Sequence, residues 1–159
     1  MEALNSIEEL LTESGDPDNP PPAEVMALLE RVKKIAVVGM SRDPKKAARR
    51  VPSYLASKGY EIIPVNPFAD RILGKPAVDC VDVLTEPVDM VLIFRPSADA
   101  AVIMDKAMEL DEKPAIWLQE GIMAPEQAAK ARAEGFTVVQ ELVGVGYRAQ
   151  AQGQKLNLT

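Results

Sequence analysis

The sequence predicts an α/β fold: a Rossmann-like, doubly wound, mainly parallel sheet in a single domain with an N-terminal arm. Three observations predict it. Apolar runs such as Ile35-Ala36-Val37-Val38, Val91-Leu92-Ile93-Phe94 and Ala115-Ile116-Trp117-Leu118 are continuous rather than alternating. Continuous apolar strands are buried on both faces, as crossover helices require. Segments with helical spacing separate the runs, and glycine or proline stands at the junctions.

The elements follow in order. Residues 1–15 read as a short helix, with capping-box spacing from Ser6 to Glu9 and Gly15 as its stop. Asp16-Pro17-Asp18-Asn19-Pro20-Pro21-Pro22 is a stiff polar linker, so residues 1–22 form the arm and Pro-rich linker, and removing residues 1–20 is expected to leave the fold intact. A helix over 23–33 places Val25, Leu28, Leu29 and Val32 on one face. The first strand is Ile35–Gly39. A helix over about 50–58 ends at Gly59; Pro52 fits a first helical turn but not a deeper one, which puts the helix start near Arg49. Strands follow at Glu61–Val65, weakly near Pro76–Val78, and at Asp89–Phe94. Ser97 is the candidate N-cap of a helix over about 98–110. After the strand Pro114–Leu118, Pro125 opens a helix that stops at Gly135, and Phe136–Val139 is the last clear strand. The domain spans 23–148, and 149–159 is a loose, low-complexity tail.

Composition removes several function classes. The chain of 159 residues has no histidine, which excludes Ser-His-Asp and Cys-His catalysis and phosphohistidine chemistry. One cysteine, Cys80, permits no internal disulfide framework and is expected to pack as a small apolar residue. The net charge of −6 argues against nucleic acid and membrane surfaces as partners. No run reaches the roughly 20 apolar residues of a membrane span. The start Met1-Glu2-Ala3 is acidic and lacks the basic region of a signal peptide, so a cytoplasmic location is expected.

In an open parallel sheet the ligand lies beyond the C-terminal strand ends, at the topological switch point. The candidate binding residues therefore follow the strands: Gly39, Met40, Ser41, Arg42 and Lys45; Asn66 and Pro67; Phe94, Arg95 and Pro96; Gln119, Glu120, Gly121 and Ile122. The first loop reads G-x-S-x-x-P, which departs from the dinucleotide fingerprint G-x-G-x-x-G. The second strand ends in Asn66-Pro67 without the carboxylate that holds a ribose in NAD sites, and both departures count against NAD. Residues 42–50 gather five of the 18 cations in nine positions with one acid, either a solvated patch or a polyanion site. Its place after the first strand favours the polyanion. Asn66-Pro67 either stops the strand or contacts ligand, and Arg95 either pairs with a phosphate or caps the next helix. Trp117 is expected in the core.

Val37-Val38-Gly39-Met40-Ser41, Tyr54-Leu55, Gly59-Tyr60, Pro64-Val65-Asn66-Pro67, Phe94-Arg95-Pro96 and Trp117-Leu118-Gln119-Glu120-Gly121-Ile122 together resemble the stand-alone CoA-binding domain proteins. Those are similar to the N-terminal CoA-binding domain of the succinyl-CoA synthetase alpha subunit. The resemblance covers about residues 24–141, with motif order and spacing in agreement. It implies coenzyme A or an acyl-CoA lying across the strand ends, with contacts from the four groups of residues named above, the adenine near Asn66 and Phe94, and the phosphates near residues 42–50. Where the family often carries a lysine shortly after Asn-Pro, this chain has Phe68-Ala69-Asp70, leaving Arg71 or the 42–50 cluster to substitute. Where the family's last strand runs into an Asp-Arg-Cys-like stretch, this chain has Glu141-Leu142-Val143 and no thiol. The function expected is a non-catalytic CoA-binding module. The alternatives are an accessory subunit that senses CoA and docks to a protein partner, and a nucleotide-dependent enzyme, for which no catalytic constellation is recognisable.

Overall fold

The computed structural model describes residues 19, 20, 22–119 and 122–142. The predicted helix in residues 1–15, the tail 149–159, Glu120 and Gly121 lie outside the described residues.

The core sheet is parallel throughout, in the order β2-β1-β5-β6-β7. Its strands are β1 (Lys34–Val38), β2 (Glu61–Val65), β5 (Met90–Ile93), β6 (Ala115–Gln119) and β7 (Val138–Leu142). A two-stranded hairpin, β3 (Arg71–Ile72) and β4 (Lys75–Pro76), stands in the connection from β2 to β5, followed by a 3-10 turn at Val81–Val83. Among the described residues the helices are α1 (Pro22–Arg31), α2 (Ala47–Ser57), α3 (Ser97–Ala107) and α4 (Pro125–Ala133).

The inner strands β1, β5 and β6 are buried on both faces. Ile35, Val37, Leu92 and Trp117 face a cluster built with Val25, Leu28 and Leu29 of α1 and Leu55 of α2. Ala36, Val91, Ile116 and Leu118 face the other cluster, with Ala100 and Met104 of α3 and Ala128 and Ala131 of α4. The continuous apolar runs are thus the two-sided strands that the sequence predicts. Val32 is buried as expected but lies one residue beyond α1. Pro125 opens α4, and Gly135, at φ +90, follows its end.

The structure corrects three expectations. First, α2 begins at Ala47, which places Pro52 deep in the helix. Pro52 has no N–H to offer the Ala48 carbonyl. That carbonyl instead accepts from the Ser41 N–H at 3.1 Å, so the missing helical bond is replaced by a tie to the loop after β1. Second, Ser97 is the first residue of α3 rather than its cap; Pro96 holds the cap position, and the Ser97 Oγ accepts from the Met123 N–H at 3.1 Å. Third, the linker is not separate from the sheet. The Asn19 side chain accepts from the Gln140 N–H and donates to the Gln140 carbonyl, both at 2.8 Å, on β7. Arg132 donates to the Val138 carbonyl of the same strand at 2.9 Å. A truncation after residue 20 therefore removes a contact of the folded domain.

Candidate functional site

The chain leaves β1 toward α2, over β2 on one side, while β5 lies on the other side of β1. The switch point is therefore the pair β1 and β5, and a cleft of about 420 Å³ opens there. Gly39 follows β1 and Arg95 follows β5, and both line the cleft. Gly39 has φ +83, a region that L side chains rarely adopt. A Cβ at Gly39 would stand 2.8 Å from Arg95 Cδ and 3.3 Å from the Phe94 carbonyl carbon. The glycine thus lets the Arg95 stem lie across the end of β1. The Arg95 guanidinium pairs with Asp99 at 2.7 Å, in the first turn of α3.

Asn66 ties two loops together. Its Nδ2 donates to the Met40 carbonyl at 2.9 Å, and its Oδ1 accepts from the Phe68 N–H at 2.7 Å. It lines the cleft with Pro67 and Phe68. Phe68 is 87% exposed, the most exposed of the large hydrophobic residues described. The cleft thus has an exposed apolar ring and two cations on its walls. The second cation is Lys106 of α3, which lies 3.9 Å from Asp82.

Of the candidates from sequence, the structure brings Gly39, Asn66, Pro67 and Arg95 to this cleft. Met40 is fully buried, so its side chain belongs to the core and only its backbone faces the loop. Ser41 accepts from the Asp43 N–H, and Asp43 in turn accepts from the Lys45 N–H, both at 3.0 Å, which folds the loop on itself. Arg42 and Lys45 are exposed on that loop, outside the cleft lining. Phe94 packs against the α1/α2 core and Ile122 against the opposite core, while Pro96 caps α3 and Gln119 ends β6. Arg71 donates to the Gly74 carbonyl within the hairpin and does not reach the lining. Cys80 faces the cleft rather than packing as a core residue.

Sequence reasoning missed Phe68, Asp79, Cys80 and the α3 residues Asp99, Val102 and Lys106. One signal was available for two of them. Phe68 in a polar turn and Val102, 57% exposed on α3, are large apolar groups without a core to serve.

The Cys80 thiol hydrogen-bonds the Asp82 carboxylate, which raises its pKa above the ordinary thiol value; desolvation adds to the shift. The same bond lowers Asp82. The protonated thiol is thus favoured in the folded state, a stabilisation present below the unfolded thiol pKa and lost as pH rises through the folded one. The Asp82 contribution is present above its unfolded pKa and lost as pH falls through its depressed folded value. Alkylation of Cys80 by iodoacetamide is expected to reach half-maximal rate at a higher pH than for a free thiol, and Asp82→Asn should move that midpoint down. A wild-type midpoint at or below that of a free thiol would refute the assignment.

The fold and cleft together define a doubly wound α/β protein with a cleft at its switch point. The model of the CoA-binding domain family matches residues 33–146, and the chain belongs to that family. It is similar to the uncharacterized protein YneT of Bacillus subtilis, 37% identical over 124 residues, covering 78% of this chain and 91% of that protein. Among solved structures it resembles cell-free ID.343 from Thermus thermophilus, with TM-score 0.74, 34% identity and coverage of 81% of this chain and 97% of that one. It also resembles a hypothetical protein from Pyrococcus horikoshii, with TM-score 0.78, 26% identity and coverage of 88% and 96%. Among the described residues no helix is long and apolar enough to cross a membrane.

Proposed function

We propose that this chain is a non-catalytic module that binds coenzyme A or an acyl-CoA at the β1/β5 cleft. The observation that carries the reading is Arg95 lying over Gly39 at the switch point of a chain that belongs to the CoA-binding domain family. In this reading Arg95 and Lys106 meet the pyrophosphate, Phe68 faces the adenine, and the exposed cations of residues 42–50 add positive potential at the mouth. Arg95 and Lys106 are each paired with a carboxylate, so a phosphate would exchange with Asp99 and Asp82 rather than meet bare cations. A cytoplasmic setting belongs to the same reading and rests on the sequence.

Isothermal titration with CoA tests it. Charge-assisted hydrogen bonds contribute about 1.5–3 kcal/mol, so Arg95→Ala is expected to weaken CoA binding about tenfold or more. Its effect on stability should stay within about 1 kcal/mol, because the Arg95–Asp99 pair is half exposed. No CoA binding to the wild-type chain, or equal affinity in the variant, would overturn the proposal.

A further inference from the structure

The absence of a carboxylate at the end of β2 counted against a ribose contact in the sequence, yet the fold supplies one from elsewhere. After Asn66 the chain runs out through the β3/β4 hairpin and returns beside β2. Val78 forms a parallel bridge with Val65. Its N–H donates to the Pro64 carbonyl at 3.0 Å, and its carbonyl accepts from the Asn66 N–H at 2.8 Å. The next residue is Asp79, which lines the cleft with Gly39, Asn66 and Phe68. Asp79 is exposed and makes no ion pair among the described residues. In doubly wound sheets an acidic side chain at the end of the second strand holds the hydroxyls of a ribose. Here that position is filled by a residue 13 places beyond Asn66 in the chain.

We infer that Asp79 faces the ribose of the bound adenine nucleotide and selects a ribose with free hydroxyls over a phosphorylated one. This rests on the CoA reading above and deepens it. An ionised carboxylate only accepts hydrogen bonds, and a ribose diol donates two. A phosphomonoester at neutral pH carries about −1.5 to −2 charge and also only accepts. Placed against Asp79, it gains no hydrogen bond and is repelled. The charged side chains lining the cleft are two cations, Arg95 and Lys106, and two acids, Asp79 and Asp99. Those cations match the pyrophosphate and leave no surplus cation among them for a third phosphate. CoA and its 3′-dephospho form share the ADP-pantetheine part that these cations meet, and Asp79 favours the form without the ribose phosphate.

The test is parallel calorimetric titration of the full chain with CoA and with 3′-dephospho-CoA. A like-charge contact at a few ångströms in water corresponds to about fivefold in affinity. Dephospho-CoA is therefore expected to bind about fivefold more tightly than CoA, and Asp79→Asn should remove that preference by strengthening CoA binding. Asp79 is exposed and unpaired, so this variant leaves the core untouched. CoA binding more tightly than dephospho-CoA to the wild type, or a ratio unchanged in Asp79→Asn, would overturn this inference while leaving the CoA site standing. Failure of both ligands to bind would instead remove the site itself.

Discussion

Gly39→Ala is expected to lower stability by about 1–3 kcal/mol and to weaken CoA binding together. Two effects combine at this position. The backbone at φ +83 is strained for any L residue, and the new methyl meets Arg95 Cδ at 2.8 Å and the Phe94 backbone at 3.3 Å. The arginine side chain can swing away; the Phe94 backbone, hydrogen-bonded to the Val38 carbonyl at 2.9 Å, cannot. Relief of the clash therefore moves Arg95 off the end of β1. Gly59→Ala is the matched control. Gly59 has φ +100, yet among the described residues nothing lies within 4 Å of where a Cβ would stand. That variant should carry the backbone strain and keep its CoA affinity. Urea denaturation of both variants, paired with titration, separates the two effects. Equal affinity in Gly39→Ala and wild type would show that Arg95 needs no room at β1.

Trp117→Ala is expected to lower stability by about 3–5 kcal/mol, the usual range for removing a buried aromatic. Trp117 is fully buried in the middle of β6, between α1, α2 and the neighbouring strands. For a domain of this size each kcal/mol corresponds to roughly 2–4 °C, so the melting temperature should fall by about 6–20 °C. Trp117→Phe should lose less than half as much. It keeps most of the apolar volume, and it deletes an indole N–H that has no acceptor among the described residues. A buried donor without a partner is itself unfavourable by about 1–3 kcal/mol, which offsets the lost packing. If both variants lose the same stability, the indole N–H has an acceptor in solution.

The layered fold was readable because its signals are local. The stripe Val25, Leu28, Leu29 and Val32, the two-sided run Ile35–Val38, and the bracket of Pro125 and Gly135 each report on neighbours within a turn or a strand. The cleft lining was readable only where the switch-point rule applies directly to a strand end, as at Gly39, Asn66 and Arg95. Arg42 and Lys45 were drawn from charge density, which says nothing of direction; the self-bonded loop from Ser41 to Lys45 leaves them outside the cleft lining. Asp79 and Lys106 reach the cleft through a return alongside β2 and a helix register. Neither is expressed in spacing along the chain. The Pro52 rule failed for a related reason: the Ala48 carbonyl it frees is satisfied by Ser41, from outside the helix.

The bonds from Asn19 and Arg132 to β7 also bear on how the folded chain meets its own copies. β2 and β7 are the outer strands, and an unpaired outer strand presents a row of amides and carbonyls to which another chain can add. At the end of β2 the Pro64 carbonyl and the Asn66 N–H are engaged by the returning Val78. On β7 the Gln140 amide and carbonyl and the Val138 carbonyl are engaged by side chains, which fill hydrogen-bonding positions without extending the sheet. A side-chain amide can satisfy a strand but cannot propagate one. Asn19, set among the prolines of the linker, thus makes the start of the domain a guard against edge-to-edge self-association.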